Sequence, residues 1–502
     1  MAAKQDDGAQ DTVAGLLGSH GAGPSLVTID GDSIDHDVLV ERVEHLADRF
    51  RSAGLGPGDR IAIVLPNGPE MALVLLAAMS VGCAAPLNPK YREDEFRFYL
   101  DDLRAAALVT NPGESPAAHA AAPASTLAID VSGSGLSIDL VAPDTAGARR
   151  DGVPSADDQA LVLHTSGTTS RPKIVPLRQR NLARSARNIA AHLRLTPSDR
   201  SLTVMPLFHI HGIVAGLLAP LSAGAAVVCT PGFDAFKFHR WIDELKPTYY
   251  TAVPTMHQMV LARAPKERRP TTLRFVRSSS ASLPVPVLES LVELFGVPVV
   301  EAYGMTEASH QMTCNPLPPG VQKPGSVGLP TGIEVAILDS ANHVLPAGQR
   351  GEVSIRGATV VDGYENNPDA NAAAFTAGWF RTGDEGMLDD DGYLFLTGRL
   401  KEQINRGGEK ISPLEVDDAV LRHSAVAGAV TFGIPHPKLG EEVGAVVVLS
   451  EGQTVTEREL RSFAGEQLAA FKVPERIIFV AEIPKGATGK VQRIGMSDRL
   501  GL

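Results

Sequence analysis

Apolar residues along the chain follow two alternating patterns, one typical of helices and the other of short strands. Over residues 37–50 the apolar positions recur at helical spacing. The run DRIAIVLPNG at residues 59–68 ends in a Pro/Gly turn, so it predicts a strand followed by a helix from Glu70. The runs ALVLHTSG and SLTVMPLFH have the same form and precede helical patterns at 181–193 and 211–221. Strands that alternate with helices in this way predict an α/β fold with largely parallel sheets.

This pattern changes near residue 400, where we place a domain boundary. A chain of 502 residues is too long for one core, because cores stop growing at roughly 250 to 300 residues. The segment DDDGYLFLTGRLKEQINRGGEKISP combines acidic residues, a short strand, a charged turn and a helix that opens near Pro413. Beyond it, helices alternate with strand-like runs at residues 427–432, 444–449 and 476–480. We predict a large N-terminal domain of layered sheets and helices over residues 1–398 and a small mobile α+β domain over 399–502.

Three other segments stand out by composition. Residues 71–85 and 212–228 are the most apolar, but both fall short of a clean span of about 20 apolar residues. We therefore predict that both are buried core, with no stable membrane insertion. Residues 112–157 are rich in Ala, Ser, Pro, Gly and Asp and only weakly periodic, which predicts a loose surface excursion.

Charge and cysteine content exclude several classes of function. The formal net charge is -12 and the pI is near 5.6, without a basic stripe, so we predict no nucleic-acid partner. Cys83, Cys229 and Cys314 lie far apart with no CxxC pair, which supports neither a zinc site nor a disulfide framework. The first 18 residues lack the basic and apolar regions of a signal peptide. We expect a cytoplasmic protein.

The segment TSGTTSRPK at residues 165–173 has the composition of a phosphate-binding loop. Its small residues and Gly167 allow backbone N–H groups to converge on an anion, its hydroxyls add donors, and Lys173 adds a mobile positive charge. The segment does not satisfy the Walker A pattern, so P-loop chemistry is not indicated. Taken alone, such a loop is more often a solvated turn.

Five motifs, taken in their order along the sequence, favour the phosphate-binding loop over the solvated turn. They are TSGTTSRPK (165–173), YGMTE (303–307), WFRTGD (379–384), GRLKEQINRGGEKISP (398–413) and PKGATGKVQR (484–493). Together they resemble the phosphate loop, the adenine and magnesium motif, the ribose motif, the hinge and the catalytic-lysine loop of the adenylate-forming superfamily, which contains acyl-CoA synthetases, adenylation domains and luciferases. The resemblance covers nearly the whole chain. It implies the substrates ATP and coenzyme A, with Mg²⁺ as the metal.

The resemblance also implies a role for individual residues. Glu307 is expected to be the magnesium ligand and Thr306 a donor to the α-phosphate. Asp384 and Arg399 are expected to hold the ribose; a structural ion pair at the domain junction is the alternative. The full expected ATP site is Thr165, Ser166, Gly167, Thr168, Thr169, Lys173, Ala281, Glu301, Ala302, Tyr303, Gly304, Thr306, Asp384, Arg399 and Lys490.

Lys490 is expected to be the principal catalytic residue, and Thr306, Glu307 and His209 are the other residues expected to be catalytic. When a carboxylate attacks the α-phosphorus, negative charge grows on that centre and on the departing pyrophosphate, and an ammonium on a flexible stem can bridge the two. A carboxylate is already nucleophilic at neutral pH, and the sequence shows no convincing Ser-His-Asp triad or GxSxG elbow. The alternative for Lys490 is an ordinary exposed lysine.

A second half-reaction requires a change of domain position. In this family the small domain rotates between the two steps, and Lys401 occupies the hinge position. The turn GGEK, with Gly407, Gly408 and Lys410, would then face the active site and allow the pantetheine arm of coenzyme A to approach closely.

Three polar residues fall at positions that line the acyl pocket in this family: His209, Ser280 and His310. Imidazoles and a hydroxyl favour a small, doubly charged acid over a long acyl chain, which would need apolar walls. A lone histidine is more often a satisfied core or surface residue, and His209 occurs widely in the family, so His310 discriminates more strongly.

Several strings, among them YTAVPTMHQ, SSSASL and INRGGEKISPLEVD, are similar to the oxalate:CoA ligase branch, so oxalate is the acid we expect first. Two positions depart from the superfamily: Ser170 and Ile174 stand where glycine is usual, and only Ser170 is shared with the oxalate branch. Ile174 predicts a stiffer or displaced phosphate loop, which leaves open reduced activity or a shifted substrate. The alternative functions are a medium- or long-chain fatty acyl-CoA ligase, an enzyme that loads a free-standing carrier, and a nucleotide sensor with degenerate chemistry.

Overall fold

The computed structural model of the protein describes residues 11–18, 20–143, 146–165, 172–265, 271–484 and 491–502. The strands, in chain order, are β1 Pro24–Val27, β2 Ser33–Asp35, β3 Arg60–Val64, β4 Cys83–Pro86, β5 Ala107–Thr110, β6 Leu127–Ser134, β7 Ser137–Val141, β8 Gln159–Thr165, β9 Lys173–Arg178, β10 Arg200–Thr203, β11 Ala226–Cys229, β12 Tyr249–Ala252, β13 Phe275–Ser279, β14 Val299–Met305, β15 His310–Cys314, β16 Leu329–Pro330, β17 Glu334–Leu338, β18 Gly351–Arg356, β19 Phe375–Thr376, β20 Trp379–Leu388, β21 Leu394–Arg399, β22 Ile404–Arg406, β23 Glu409–Ile411, β24 Val426–His436, β25 Gly440–Leu449 and β26 Arg476–Phe479.

The α-helices are α1 Val13–Leu16, α2 His36–Ser52, α3 Pro69–Val81, α4 Glu93–Leu103, α5 Pro116–Ala121, α6 Gln179–His192, α7 Ala219–Ser222, α8 Phe238–Leu245, α9 Pro254–Ala262, α10 Val285–Phe295, α11 Pro368–Ala374, α12 Pro413–Leu421, α13 Glu457–Gly465 and α14 Met496–Leu500. A π-helix spans His211–Leu218, and 3₁₀ helices span Thr306–Ala308 and Ala470–Lys472.

Two large sheets form the body of the molecule. One has the order β7-β6-β5-β3-β4-β8-β9 and is parallel from β6 to β8, with antiparallel pairs at both edges. The other has the order β16-β15-β14-β13-β12-β10-β11-β1-β2 and is parallel from β14 to β1. These sheets confirm the predicted α/β fold.

A helical layer joins these two sheets. α3 is buried along its whole length from Met71 to Val81, as expected for a helix that is apolar on every face. α6 contacts β8 and β9 of the first sheet and β15 of the second. Apolar residues of both sheets and both helices belong to one core cluster. The apolar stretches at 71–85 and 212–228 are therefore buried core, as predicted.

Two smaller sheets follow. An antiparallel sheet has the order β17-β18-β20-β19, with β21 paired to β20. The last sheet has the order β23-β22-β25-β24, with β26 parallel to β25, and packs with α12 and α13 around its own core. This confirms the predicted small α+β unit. The transition lies between Arg399 and Ile404, and the boundary at residue 398 stays a prediction.

One prediction about local structure was wrong. Residues 127–141 are not a loose excursion, because β6 and β7 form a hairpin at the edge of the first sheet. In each strand two buried positions alternate with partly or fully exposed ones, but the pattern is short and the hairpin turn contains glycine, so its periodicity is weak in the sequence. The pattern at 211–221 is helical as predicted; it begins as a π-helix and continues as α7. In the part of the chain that the structure describes, we find no helix long and apolar enough to span a bilayer.

Candidate active site

Four adjacent parallel strands bring predicted site residues to one edge of a sheet. β14, β13, β12 and β10 are neighbours and run in the same direction, so their carboxyl ends lie together. His209 follows β10, Ser280 follows β13, and Thr306 follows β14. This edge is where open α/β sheets bind ligands.

Glu307 is held at this edge by a tyrosine that the sequence analysis did not identify. It lies in the 3₁₀ helix after β14 and is buried. The Tyr364 hydroxyl donates to Glu307 Oε1 at 2.8 Å, and Lys173 Nζ lies 4.3 Å from the centroid of the Tyr364 ring. Tyr364 therefore connects the end of the phosphate-loop segment to the expected metal ligand.

The donor set at Glu307 fits a magnesium ion carried mainly by phosphate. Among the described residues, no three His, Cys, Asp or Glu side chains form a metal-ligand cluster. Magnesium in nucleotide enzymes is commonly held by one or two carboxylates together with substrate phosphates and water. One buried carboxylate at the sheet edge matches that pattern.

Asp384 and Arg399 lie opposite each other on β20 and β21. Their register pairs the two residues directly, and Arg399 Nε lies 3.2 Å from Asp384 Oδ1. The Tyr303 hydroxyl donates to the other carboxylate oxygen of Asp384. Burial raises the pKa of the Asp384 carboxyl, and Arg399 and Tyr303 oppose that rise. The structure therefore brings together the residues expected to hold the ribose and one residue of the expected adenine wall.

The remaining adenine-wall residues lie on β14. Ala302 is buried, and its carbonyl accepts a hydrogen bond from Ser279 at 2.8 Å. Burial raises the pKa of Glu301 to about 8; its Oε1 accepts from the Leu283 amide, and its Oε2 has no partner among the described residues. Gly304 is needed for space, because a Cβ there would lie 2.0 Å from the carbonyl oxygen of His310.

The predicted acid pocket contains a pair of stacked imidazoles. The rings of His310 and His211 lie 4.8 Å apart at an interplanar angle of 23°, and both side chains are buried. His211 Nδ1 lies 3.0 Å from Ser280 Oγ. Burial lowers the pKa of both imidazoles well below the usual value, so both rings are neutral at physiological pH.

Strained backbone and close packing hold these groups in position. Ser280 has φ of 73° and His310 has φ of 99°, values that are uncommon for residues other than glycine and often occur at functional sites. Gly212 allows the π-helix to start against the preceding loop, because a Cβ there would lie 2.2 Å from the Pro206 carbonyl oxygen. This close contact holds the backbone in position at Gly212 and therefore at its neighbour His211.

His209 and Ala281 lie at the margin of this cluster. His209 is half-buried and its ring contacts Phe208, with the centroids 4.7 Å apart. The imidazole that bonds Ser280 is that of His211, which the sequence analysis overlooked. Both histidines belong to the HIHG string, so the string marks the place of His211 but does not distinguish it from His209. Ala281 is exposed beside Ser280.

Ile174 directly follows the phosphate-loop segment in the sequence and belongs to a strand. It is buried in β9, opposite His164 of β8, and packs in an apolar cluster with Val162 and Ala62. Thr165 and Lys173 are paired across the same two strands. The side chain at 174 therefore contributes to the core next to β8 and β9.

The hinge region and the GGEK turn lie at the start of the last sheet. Lys401 is exposed in the turn between β21 and β22. Gly407 and Gly408 join β22 to β23 with φ values of 62° and 95°, which suit glycine, and Lys410 is exposed on β23. Five predicted site residues lie outside the described residues: Ser166, Gly167, Thr168, Thr169 and Lys490.

Comparison with known families agrees with this arrangement. Residues 21–365 match the model described as AMP-binding enzyme, and residues 415–490 match the AMP-binding enzyme C-terminal domain. The chain belongs to the AMP-binding enzyme family. This membership confirms the adenylate-forming resemblance that the five motifs indicated.

Three relatives illustrate its place in the AMP-binding family. An oxalate–CoA ligase of Arabidopsis thaliana is 48% identical over 474 residues, covering 92% of each chain. An oxalate–CoA ligase of Saccharomyces cerevisiae is 42% identical over 499 residues, covering 91% of this chain and 92% of the relative. The crystal structure of ATP-bound MatB from Rhodopseudomonas palustris matches with a TM-score of 0.87 at 29% identity, covering 97% of this chain and 98% of that one.

Proposed function

We propose that this AMP-binding enzyme is an ATP- and Mg²⁺-dependent acid:CoA ligase that prefers oxalate. The observation that carries the proposal is the polar character of the predicted acid pocket. There His211, His310 and Ser280 form a cluster at the edge of the sheet where β10, β13 and β14 end. A fatty acyl chain would need apolar walls at this place. The names of the two oxalate–CoA ligases that resemble the chain over nearly its full length support the choice of acid.

In the first half-reaction an oxygen of the acid's carboxylate bonds to the α-phosphorus of ATP, and the bond from that phosphorus to pyrophosphate breaks. Asp384 and Arg399 hold the ribose, and Thr306 donates to the α-phosphate. Lys173 approaches the outer phosphates, and Lys490 bridges the reacting centre and the leaving pyrophosphate. Magnesium bound at Glu307 would neutralise phosphate charge. No general base is required, because the acid arrives as a carboxylate.

In the second half-reaction the sulfur of coenzyme A bonds to the acyl carbon, AMP leaves, and the thiol proton is released. The small domain turns about Lys401 before this step, and the Gly407–Gly408 turn then faces the acyl-adenylate. Two glycines with positive φ leave the backbone uncovered for the pantetheine arm. Three buried thiols without a disulfide support a reducing compartment, and we place the enzyme in the cytoplasm.

The test is product stoichiometry with purified protein, oxalate, ATP, Mg²⁺ and coenzyme A. We expect equal amounts of AMP, pyrophosphate and oxalyl-CoA by liquid chromatography and mass spectrometry. Omission of oxalate, ATP or Mg²⁺ should abolish all three products, and omission of coenzyme A should leave at most one pyrophosphate per enzyme molecule. ADP and phosphate as products would contradict an acyl-adenylate route. Oxalate-dependent pyrophosphate release without a CoA thioester would indicate a carrier-loading enzyme. ATP binding without turnover for any acid would indicate a sensor.

A further inference from the structure

Arg277 lies fully buried on β13, directly behind the stacked imidazoles. Its guanidinium donates to Thr251 Oγ1 at 2.9 Å and to Gln311 Oε1 at 2.8 Å. It also lies 3.2 Å from Nε2 of His211 and 3.2 Å from Nε2 of His310. All four partners are neutral. In the described part of the chain, no carboxylate forms an ion pair with Arg277 within 4.0 Å, and its Nε has no hydrogen-bond partner.

An unpaired buried charge is costly, because the guanidinium loses its hydration and gains no counter-ion. Arg493, which is half-buried, does have a carboxylate partner, because it lies 2.6 Å from Asp417. A positive charge kept without such a partner at the floor of a ligand pocket is a site that an anion would complete.

We propose that Arg277 is a specificity-determining positioning residue of the acid pocket, and that the distal carboxylate of a small dicarboxylic acid supplies its missing negative charge. The proposal deepens the function proposed above and rests on it. Arg277 acts through its neighbours rather than by touching the acid.

The first path runs from Arg277 to Ser280. Arginine can only donate, so it occupies Thr251 Oγ1 as an acceptor, and the Thr251 hydroxyl donates in turn to His211 Nε2 at 2.7 Å. His211 therefore carries its proton on Nδ1 and donates to Ser280 Oγ at 3.0 Å. This leaves the hydroxyl hydrogen of Ser280, which is exposed, to point into the pocket.

The second path runs to His310. Nε2 of this ring accepts from Arg277, so the proton of the neutral imidazole lies on Nδ1. Nδ1 faces Gly304, at 3.1 Å from the position that a Cβ would take. Arg277 thus sets both tautomers, so that the Ser280 hydroxyl and Nδ1 of His310 are donors. Donors backed by positive charge favour a carboxylate over a neutral group of the same shape.

Oxalate and its monoamide, oxamate, separate charge from shape, because oxamate replaces one carboxylate by a neutral amide. The measurement is kcat/KM for both acids in wild-type enzyme, Arg277→Met, Arg277→Lys and Thr251→Val. We expect Arg277→Met to reduce the oxalate-to-oxamate ratio about 10- to 100-fold, the range for hydrogen bonds to a charged group. Thr251→Val breaks the first path but keeps the charge and the volume, so it should reduce the ratio less. Arg277→Lys should recover part of it.

Arg274→Met is the matched control. Arg274 precedes β13 and pairs with the buried carboxylate of Asp199 at 2.7 Å, so its loss should lower the melting temperature without changing the oxalate-to-oxamate ratio.

Melting curves identify any variant that does not fold. If Arg277→Met does not fold, the ratio measured for Thr251→Val tests the role of Arg277. If wild-type enzyme prefers oxalate but the oxalate-to-oxamate ratio of the Arg277 and Thr251 variants stays within about threefold of the wild-type ratio, the proposed role of Arg277 is wrong and the proposed function stands. If malonate replaces oxalate as the best acid, malonate and its monoamide test the same role. If wild-type enzyme prefers a monocarboxylate, both proposals fail.

Discussion

The Tyr364 hydroxyl donates a 2.8 Å hydrogen bond to Oε1 of Glu307. The two residues are far apart in sequence, and the bond fixes the direction of the carboxylate that we expect to bind magnesium. Nζ of Lys173 lies over the Tyr364 ring, 4.3 Å from its centroid. One aromatic ring thus positions both an anion for the metal and a cation for the phosphates.

Tyr364→Phe keeps the ring and removes the hydroxyl. Because one such hydrogen bond contributes about 1 kcal/mol, we expect the Mg²⁺ concentration for half-maximal pyrophosphate release to rise about fivefold. Tyr393→Phe is the matched control, since Tyr393 donates to the Val321 carbonyl and has Lys323 4.4 Å from its ring centroid. An unchanged magnesium dependence in Tyr364→Phe would show that the hydroxyl does not position the metal ligand.

Glu301→Gln should remove a pH dependence of stability. Burial raises the pKa of Glu301 to about 8, so between the unfolded value near 4.5 and pH 8 the unfolded chain releases a proton that the folded chain retains. Over that window the wild-type unfolding free energy should fall relative to the variant as pH rises, by up to about 1.4 kcal/mol per pH unit. Above pH 8 the difference should level off. Denaturant unfolding at several pH values measures the difference in unfolding free energy between the wild type and the variant. A difference that does not change with pH would mean that Glu301 is ionised in the folded protein.

Gly408→Ala should affect the second half-reaction more than the first. Gly408 has φ of 95°, where a Cβ is strained by roughly 1 kcal/mol or more. We expect thioester formation in single-turnover experiments to slow about tenfold, with little change in the pyrophosphate burst. Gly452→Ala is the control, because Gly452 has φ of 73° in another exposed turn of the same unit. Equal loss in both steps would argue against the assigned role of the turn.

Lys490→Ala should have the opposite effect. Loss of a cation that stabilises the departing pyrophosphate is expected to slow adenylation about 100-fold or more. Conversion of supplied acyl-adenylate and coenzyme A to thioester should remain nearly intact. The two steps are measured separately, by pyrophosphate release and by thioester absorbance. A similar loss in both would remove the proposed role of Lys490.

Local patterns in the sequence predict much of this fold and miss most of the contacts that build the pocket. The helix predicted at 37–50 is α2, because helical spacing of apolar residues records its buried face directly. The hairpin at 127–141 was missed because its short strands carry little periodicity. Motifs located the nucleotide edge, but they could not locate Arg277, since its partners His211 and His310 lie on other elements and meet only when the sheet forms. Tyr364 escaped for the same reason.

The most direct test of the central claim is an acid panel for the wild-type enzyme. With saturating ATP, Mg²⁺ and coenzyme A, kcat/KM is measured for oxalate, malonate, octanoate and benzoate by pyrophosphate release and by thioester formation. We expect both assays to rank oxalate first and octanoate far below it, because the buried polar groups of the pocket would be left unpaired by an apolar chain. Octanoate ranked above oxalate, or no pyrophosphate release with any of the four acids, would contradict the account.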